Sequence, residues 1–200
     1  MPVVSEGRVT DWDPLEVSAV RIGRFVWVEE RLFEIIGHWV QSTADDEIAA
    51  LFAVQSRHRS WYAELLGELV FGFGDRTRES LVASPGPGVG AVLAQLANIA
   101  GADASIARLT ALHRVVVPHA VSAHRAQLLR SSVVADGPAI RRLGRVIADE
   151  LLDWQEGEAL LQARVRGDAE LDAALDAQRS LQQLLVTSEG ISGDAALLRS

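Results

Sequence analysis

A chain of 200 residues, 48% of them hydrophobic, can bury one sizeable core, and its length calls for no second domain. Its net charge of -8, with the basic residues scattered, excludes the concentrated positive face that a nucleic-acid partner needs. The absence of cysteine excludes disulfides, thiolate metal sites and cysteine nucleophiles, and 19 Arg with no Lys exclude Schiff-base catalysis and a phosphate-loop lysine.

The first 14 residues, with Asp11, Asp13 and Pro14, read as an irregular arm without the basic-then-apolar order of a signal peptide. A helix is expected from Leu15 to Val40, and it carries most of the large aromatics. Ser42 to Asp46 reads as a capping box, with Thr43 at the N-cap and Asp46 three residues on, opening a second helix to Val70. Phe71-Gly72-Phe73-Gly74 breaks it. Ser84-Pro85-Gly86-Pro87-Gly88 reads as non-helical, so residues 71–88 form a long crossover with room for one short turn. A short apolar piece, Val89 to Ala100, precedes a third long helix from Asp103 to Ser131, kinked at Pro118. Asp136 as N-cap and Pro138 in the first turn start a fourth, which ends near Arg166-Gly167.

Residues 168–186 read as a further helix, followed by a frayed Gly-rich tail. Strand patterns are absent, and no run of about 18 apolar residues is present to span a membrane. The expected protein is all-α and cytoplasmic: an arm (1–14), a four-helix bundle (15–166), and a C-terminal helix and tail (167–200) packed on or beside it. Heavy Ala, Arg, Val and Gly usage points to a bacterial source.

Four polar residues sit at the centres of apolar helical stripes. At about 100° per residue, Glu29 is flanked by Ile22, Phe25, Val26, Leu32, Phe33, Ile36 and Val40. The same construction puts His58 among Leu51, Val54, Gln55, Trp61, Tyr62, Leu65 and Leu69, and Glu150 among Leu143, Val146, Ile147, Asp153, Trp154, Gly157 and Leu161. His119 shares its face with Leu112, Val115, Val116, Ser122 and Ala123, while His113 and His124 lie on a second apolar face of the same helix. Counted from the turns at 1.5 Å per residue, Glu29 and His58 fall at about 18 to 21 Å from the first turn. The same count from the third turn pairs Glu150 with His119 before His124, with His113 and His124 as the alternatives. Isolated carboxylates and imidazoles are costly to bury unless they pair, bond or hold a metal, so the four mark a site.

The run from Arg24 to Val40, the step Gln55-Ser-Arg-His58 and Asp149-Glu150-Leu-Leu-Asp153 resemble helices of the ferritin-like superfamily, over roughly residues 15–166. That resemblance implies two antiparallel hairpins joined by a crossover, with metal held by a Glu on each of two helices and Glu-x-x-His on the other two. The chain departs from that set. Gln55 stands where the helix-two Glu would be, His119 where the helix-three carboxylate would be, and Asp153 where the second His would be. Glu29, His58, His119, Glu150 and Asp153 are therefore expected to hold at most one iron, or to form a metal-free centre.

The function expected on this basis is an enzyme acting on a small organic substrate, with Glu29, His58, His119, Glu150 and Tyr62 as candidate catalytic residues. The resemblance tilts a one-iron version toward hydroxylation or another oxidative step; a metal-free version would use acid–base chemistry, for which a Glu in an apolar pocket has the raised pKa required. The competing reading is a bundle that only binds a ligand or partner, its polar core groups fixing helix register. Trp61 and Trp154 suit packing, Arg57, Arg59, Arg141, Arg142 and Arg145 suit the surface, and Trp-bearing outer faces with the extra helix suit a homodimer.

Overall fold

The computed structural model describes residues 12–101 and 104–198, apart from the side chains of Ala196 and Leu198. Among them every regular element is helical: α1 (Leu15–Gln41), α2 (Asp46–Gly67), α3 (Arg78–Leu81), α4 (Pro87–Ala97), α5 (Ser105–Thr110), α6 (Val117–Leu129), α7 (Gly137–Arg164) and α8 (Asp168–Thr187), with a short 3-10 turn over Ala195–Leu198. A π-helical turn, Ala111–Val116, joins α5 to α6. None of these helices is long and apolar enough to cross a membrane. Most of the expected N-terminal arm, and the expected helix start at Asp103, lie outside the described residues.

The helix starts follow local chemistry, with three departures from expectation. Asp45, not Thr43, caps α2. Its carboxylate accepts from the backbone N–H of Glu47 at 3.0 Å and of Ile48 at 3.1 Å, which satisfies two orphan donors and contributes about 1 kcal/mol. Thr43 Oγ1 instead donates back to Trp39 O and accepts from Arg108. Pro87 and Gly88, expected in the crossover, open α4, because a proline in the first turn lacks an N–H that would have no partner there anyway. Asp136 precedes α7, but its side chain accepts from Ser132 N at 2.7 Å and caps nothing in the helix.

Pro118 does not break the third long helix. The π-helical turn lies directly before it and takes up the irregularity that a missing N–H creates.

Side-chain bonds set the helix directions. Along α7, Arg142 meets Glu68, Asp153 meets His58 and Arg164 meets Asp45, so α2 runs antiparallel to α7. Arg59 reaching Glu29 and Ser56 bonding Phe33 O make α1 antiparallel to α2, and Arg114 with Glu158 beside His124 with Glu150 makes α6 antiparallel to α7. α2 and α6 therefore run the same way, which requires the connection between them to return along the molecule. α3 and α4 lie on that return path and pack against α1. The approach is close at Gly23, where a Cβ would lie 2.2 Å from Leu81 O.

α8 packs on α4, α5 and the π-helical turn, with Ala174, Leu181 and Leu185 buried. The tail after it is folded rather than frayed: Ile191, Ser192 and Leu197 are buried, and Asp194 pairs with Arg21, which also pairs with Asp13.

Candidate functional site

The buried stripe of α2 is Ile48, Phe52, Gln55, Arg59, Tyr62 and Leu66. Arg59, expected at the surface, is 1% exposed and stands at the centre of the core. One of its nitrogens, Nη1, donates to Glu150 Oε1 at 2.8 Å and to Glu29 Oε2 at 3.2 Å. The other oxygen of Glu150 accepts from His124 Nδ1 at 2.9 Å. His124 in turn packs edge-on against Phe25, and the Arg59 guanidinium lies 5.3 Å from the Tyr62 ring.

Of the residues anticipated from sequence, Glu29, Glu150, Tyr62 and Asp153 converge on this core, and His58 joins at its margin. His119 does not. It lies on the outer side of α6, beside Pro118, Ser122, Arg125 and Leu197, and His124 takes the place at Glu150. The level count failed because it assumed that α6 and α7 end flush. α6 stops at Leu129 and α7 starts at Gly137, and the first turns of α7 overhang, so Glu150 meets a residue near the end of α6. Arg59 was missed because the stripe was centred on His58, one residue and about 100° away. The signal was present in the apolar spacing Ile48, Phe52, Tyr62, Leu66, which flanks position 59.

A second chain of bonds adjoins the first. Asp153 is buried, accepting from His58 Nδ1 at 2.8 Å on one oxygen and from Tyr62 Oη at 3.3 Å on the other. The His58 side chain is 37% exposed, so it alone connects this group to solvent. Gln55 Nε2 donates to Asp153 O at 2.9 Å, and its Oε1 faces His113 Nε2 at 2.8 Å. His113 Nδ1 also lies 2.9 Å from Leu109 O, so the ring sits between two acceptors and, when neutral, can donate to only one. A Cβ at Gly157 would lie 2.0 Å from the ring, so only glycine leaves room for it on α7.

Charge is balanced without outside help. Burial raises the Glu29 carboxyl, and Glu150 beside it adds to this, against the pull of Arg59. Burial acts the same way on Glu150, but His124 and Arg59 outweigh it and hold that carboxyl below its ordinary value. Burial disfavours the His124 imidazolium, yet Glu150 raises its pKa in the net. Arg59 is likewise held charged by Glu29 and Glu150 against desolvation. Two acidic side chains thus face a guanidinium and an imidazole. Asp153 is raised by burial, and burial pushes His113 down to about 4.

These residues do not fit the iron that the ferritin-like resemblance implies. The two carboxylates that would bridge metal are occupied by a guanidinium of the chain itself, and among the described residues no three His, Cys, Asp or Glu side chains converge as a metal-holding group.

Open space lies elsewhere. A cleft of about 300 Å³ sits at one end of the molecule, between the start of α1, the end of α2 and the start of α7. Leu15, Ala19, Ile22, Leu69, Phe71 and Ala139 form its apolar walls, Ser18 lies in it, and Glu68, Asp136 and Arg142 are its charged members. None of its lining residues belongs to the buried ion network.

Compared with protein-family models, curated proteins and solved structures, the chain matches none.

Proposed function

We propose that this chain is a metal-free helical bundle of ferritin-like topology that binds a small molecule in its end cleft, its core ion network serving to hold four helices in register. The observation that carries this reading is Arg59 Nη1 between Glu29 and Glu150, at 3.2 Å and 2.8 Å. A side-chain cation there does the charge balancing that metal ions do in carboxylate-bridged bundles, and with His124 it engages both oxygens of Glu150 and one of Glu29. The order of helix directions, with α2 and α6 parallel and a long return between them, supports the ferritin-like topology. The cleft lies at the small end of the range for ligand sites and is mostly apolar, as such sites are.

Two measurements test it. Protein expressed in iron-supplemented medium is expected to carry well under one metal ion per chain by elemental analysis; a stoichiometric content would overturn the metal-free assignment. Binding in the cleft is expected to raise the thermal midpoint with ligand concentration by mass action, and a flat response to every small apolar solute tried would remove the binding assignment.

One observation favours a second reading. Asp153 orients His58 from its Nδ1 side while the ring reaches solvent, which is the arrangement of a general base with its supporting carboxylate. On that reading, His58→Gln abolishes turnover of a found substrate and leaves folding intact.

A further inference from the structure

The large apolar side chains that stay exposed are not spread evenly over the molecule. Among the described residues the three most exposed, Leu129, Val133 and Val134, lie in or beside the connection between α6 and α7, and Val133 and Val134 reach 81% and 91%. Trp12, Leu15 and Phe71, each at least half exposed, lie at the same end. Asp13 N donates to Arg130 O at 3.1 Å, which ties the start of α1 to that connection, and Leu15 and Phe71 line the end cleft together with Ala135. The six therefore form one face around the cleft mouth.

The size of this face can be set against what association requires. A Val or Leu side chain carries about 100 Å² of apolar surface and an aromatic one about 200 Å², so at these exposures the face offers roughly 600 Å². That is the upper end of the range for the largest patch on a typical monomer, and it approaches the roughly 800 Å² that each partner buries in a standard interface.

Two details choose the occupant. The face carries a projection, Val133 and Val134, beside a hollow, the cleft of about 300 Å³, so a two-fold axis through the face sets each copy's projection over the other's hollow. Its rim carries both signs, in the pairs Arg142 with Glu68 and Arg130 with Asp13. A second copy can match such a rim, whereas an anionic lipid surface would meet the carboxylates of Glu68, Asp13 and Asp136 in a chain of net charge -8.

We propose that this end of the bundle is a two-fold interface between copies of the chain, in which Val133 and Val134 of one copy cover the cleft mouth of the other against Leu15 and Phe71. The outer wall of each cleft then belongs to the partner copy. The interface goes beyond the small-molecule reading and does not depend on it.

Sedimentation equilibrium of the full chain from about 1 to 200 µM tests it, with a monomer–dimer equilibrium of Kd on the order of 10 µM as the expected result. Val134→Glu and, separately, Leu15→Arg are each expected to weaken the dimer by roughly 30-fold or more, because each substitution is buried twice per dimer. Val54→Glu, at an exposed apolar position of α2 several turns from this end, leaves it unchanged. Circular dichroism checks that all three variants are folded. Mixing the Val134→Glu and Leu15→Arg chains is expected to restore a heterodimer, since one of its two contacts then joins opposite charges and the other is unaltered.

A chain that is monomeric throughout this range, a dimer insensitive to both end substitutions, an equal loss in Val54→Glu, or no gain on mixing would overturn the interface. So would a monomer that sediments with phosphatidylcholine vesicles and releases them on Val134→Glu, which would assign the face to a lipid surface. Thermal shift with small solutes is read separately: a monomer stabilised by a solute sinks the interface alone, and a dimer stabilised by none sinks the ligand reading alone.

Discussion

Replacing Arg59 by Met removes the guanidinium while keeping most of its volume, so the effect reports charge more than packing. In the folded protein this one group answers two buried carboxylates, at 2.8 Å and 3.2 Å, with no water-exposed route for either. At an effective dielectric of about 20, unit charges about 4 Å apart attract by roughly 4 kcal/mol. Burying the guanidinium cancels much of that, so the network as a whole adds little. Taking out one partner is a different matter, because the desolvation of Glu29 then stands uncompensated and Glu150 keeps only His124, at a cost of about 3–5 kcal/mol.

In urea, with a slope of about 2–3 kcal/mol per M, that loss lowers the midpoint by roughly 1–2 M as followed by circular dichroism. The loss should depend on pH. Glu29 titrates in the folded state above its unfolded value of 4.5 because burial disfavours its charge, and removing Arg59 raises it further. Its ionisation therefore costs stability progressively as pH rises above that value, so the variant loses less at pH 5 than at pH 8. Adding Glu29→Gln and Glu150→Gln to Arg59→Met should recover most of the stability. A single-variant loss below about 1 kcal/mol at pH 8, or one that is larger at pH 5, would refute the account of a closed, desolvated network.

Three more outcomes follow from the same geometry. Gly157→Ala drives a Cβ into the His113 ring and should destabilise by about 2–3 kcal/mol in urea, whereas in a His113→Ala background the same change should cost far less, the difference giving the coupling. His113 is held neutral by burial with its pKa pushed down to about 4, so the stability that depends on its neutrality is complete above 6.5 and declines as pH falls toward 4. His113→Phe should flatten that part of the stability–pH curve, and an unchanged slope would locate the acid sensitivity elsewhere. Gly23→Ala places a methyl against Leu81 O, and the loss of the α1–α3 contact should outweigh the roughly 1 kcal/mol gained in helix propensity, giving a lower thermal midpoint.

The helices were readable because periodicity, proline and glycine act locally. Leu15–Gln41 and Asp168–Thr187 agree with expectation to about one residue, and Pro138 in the first turn of α7 stands where its missing N–H costs nothing. Glu29 and Glu150 were legible as buried for the same reason, since each is the only charged residue on its apolar stripe apart from Asp153. Arg59 was not legible by type, because an arginine between two apolar stripes is ordinarily a surface residue, and only the facing of α2 against α1 and α7 turns it inward.

The sequence by itself determined the class and the polar inventory: all-α, no cysteine, no lysine, two core glutamates. Tertiary structure alone decided which cation answers them. That choice depends on how far α7 overhangs α6, which selects His124 over His119, and on a rotation of about 100° in α2, which puts Arg59 rather than His58 at the centre. The overhang is encoded in no short stretch of chain, and the α2 rotation is only hinted at by the apolar spacing Ile48, Phe52, Tyr62, Leu66. Both arise from packing four helices against one another, and together they put an arginine-centred ion network where the sequence allowed either one iron or a metal-free centre.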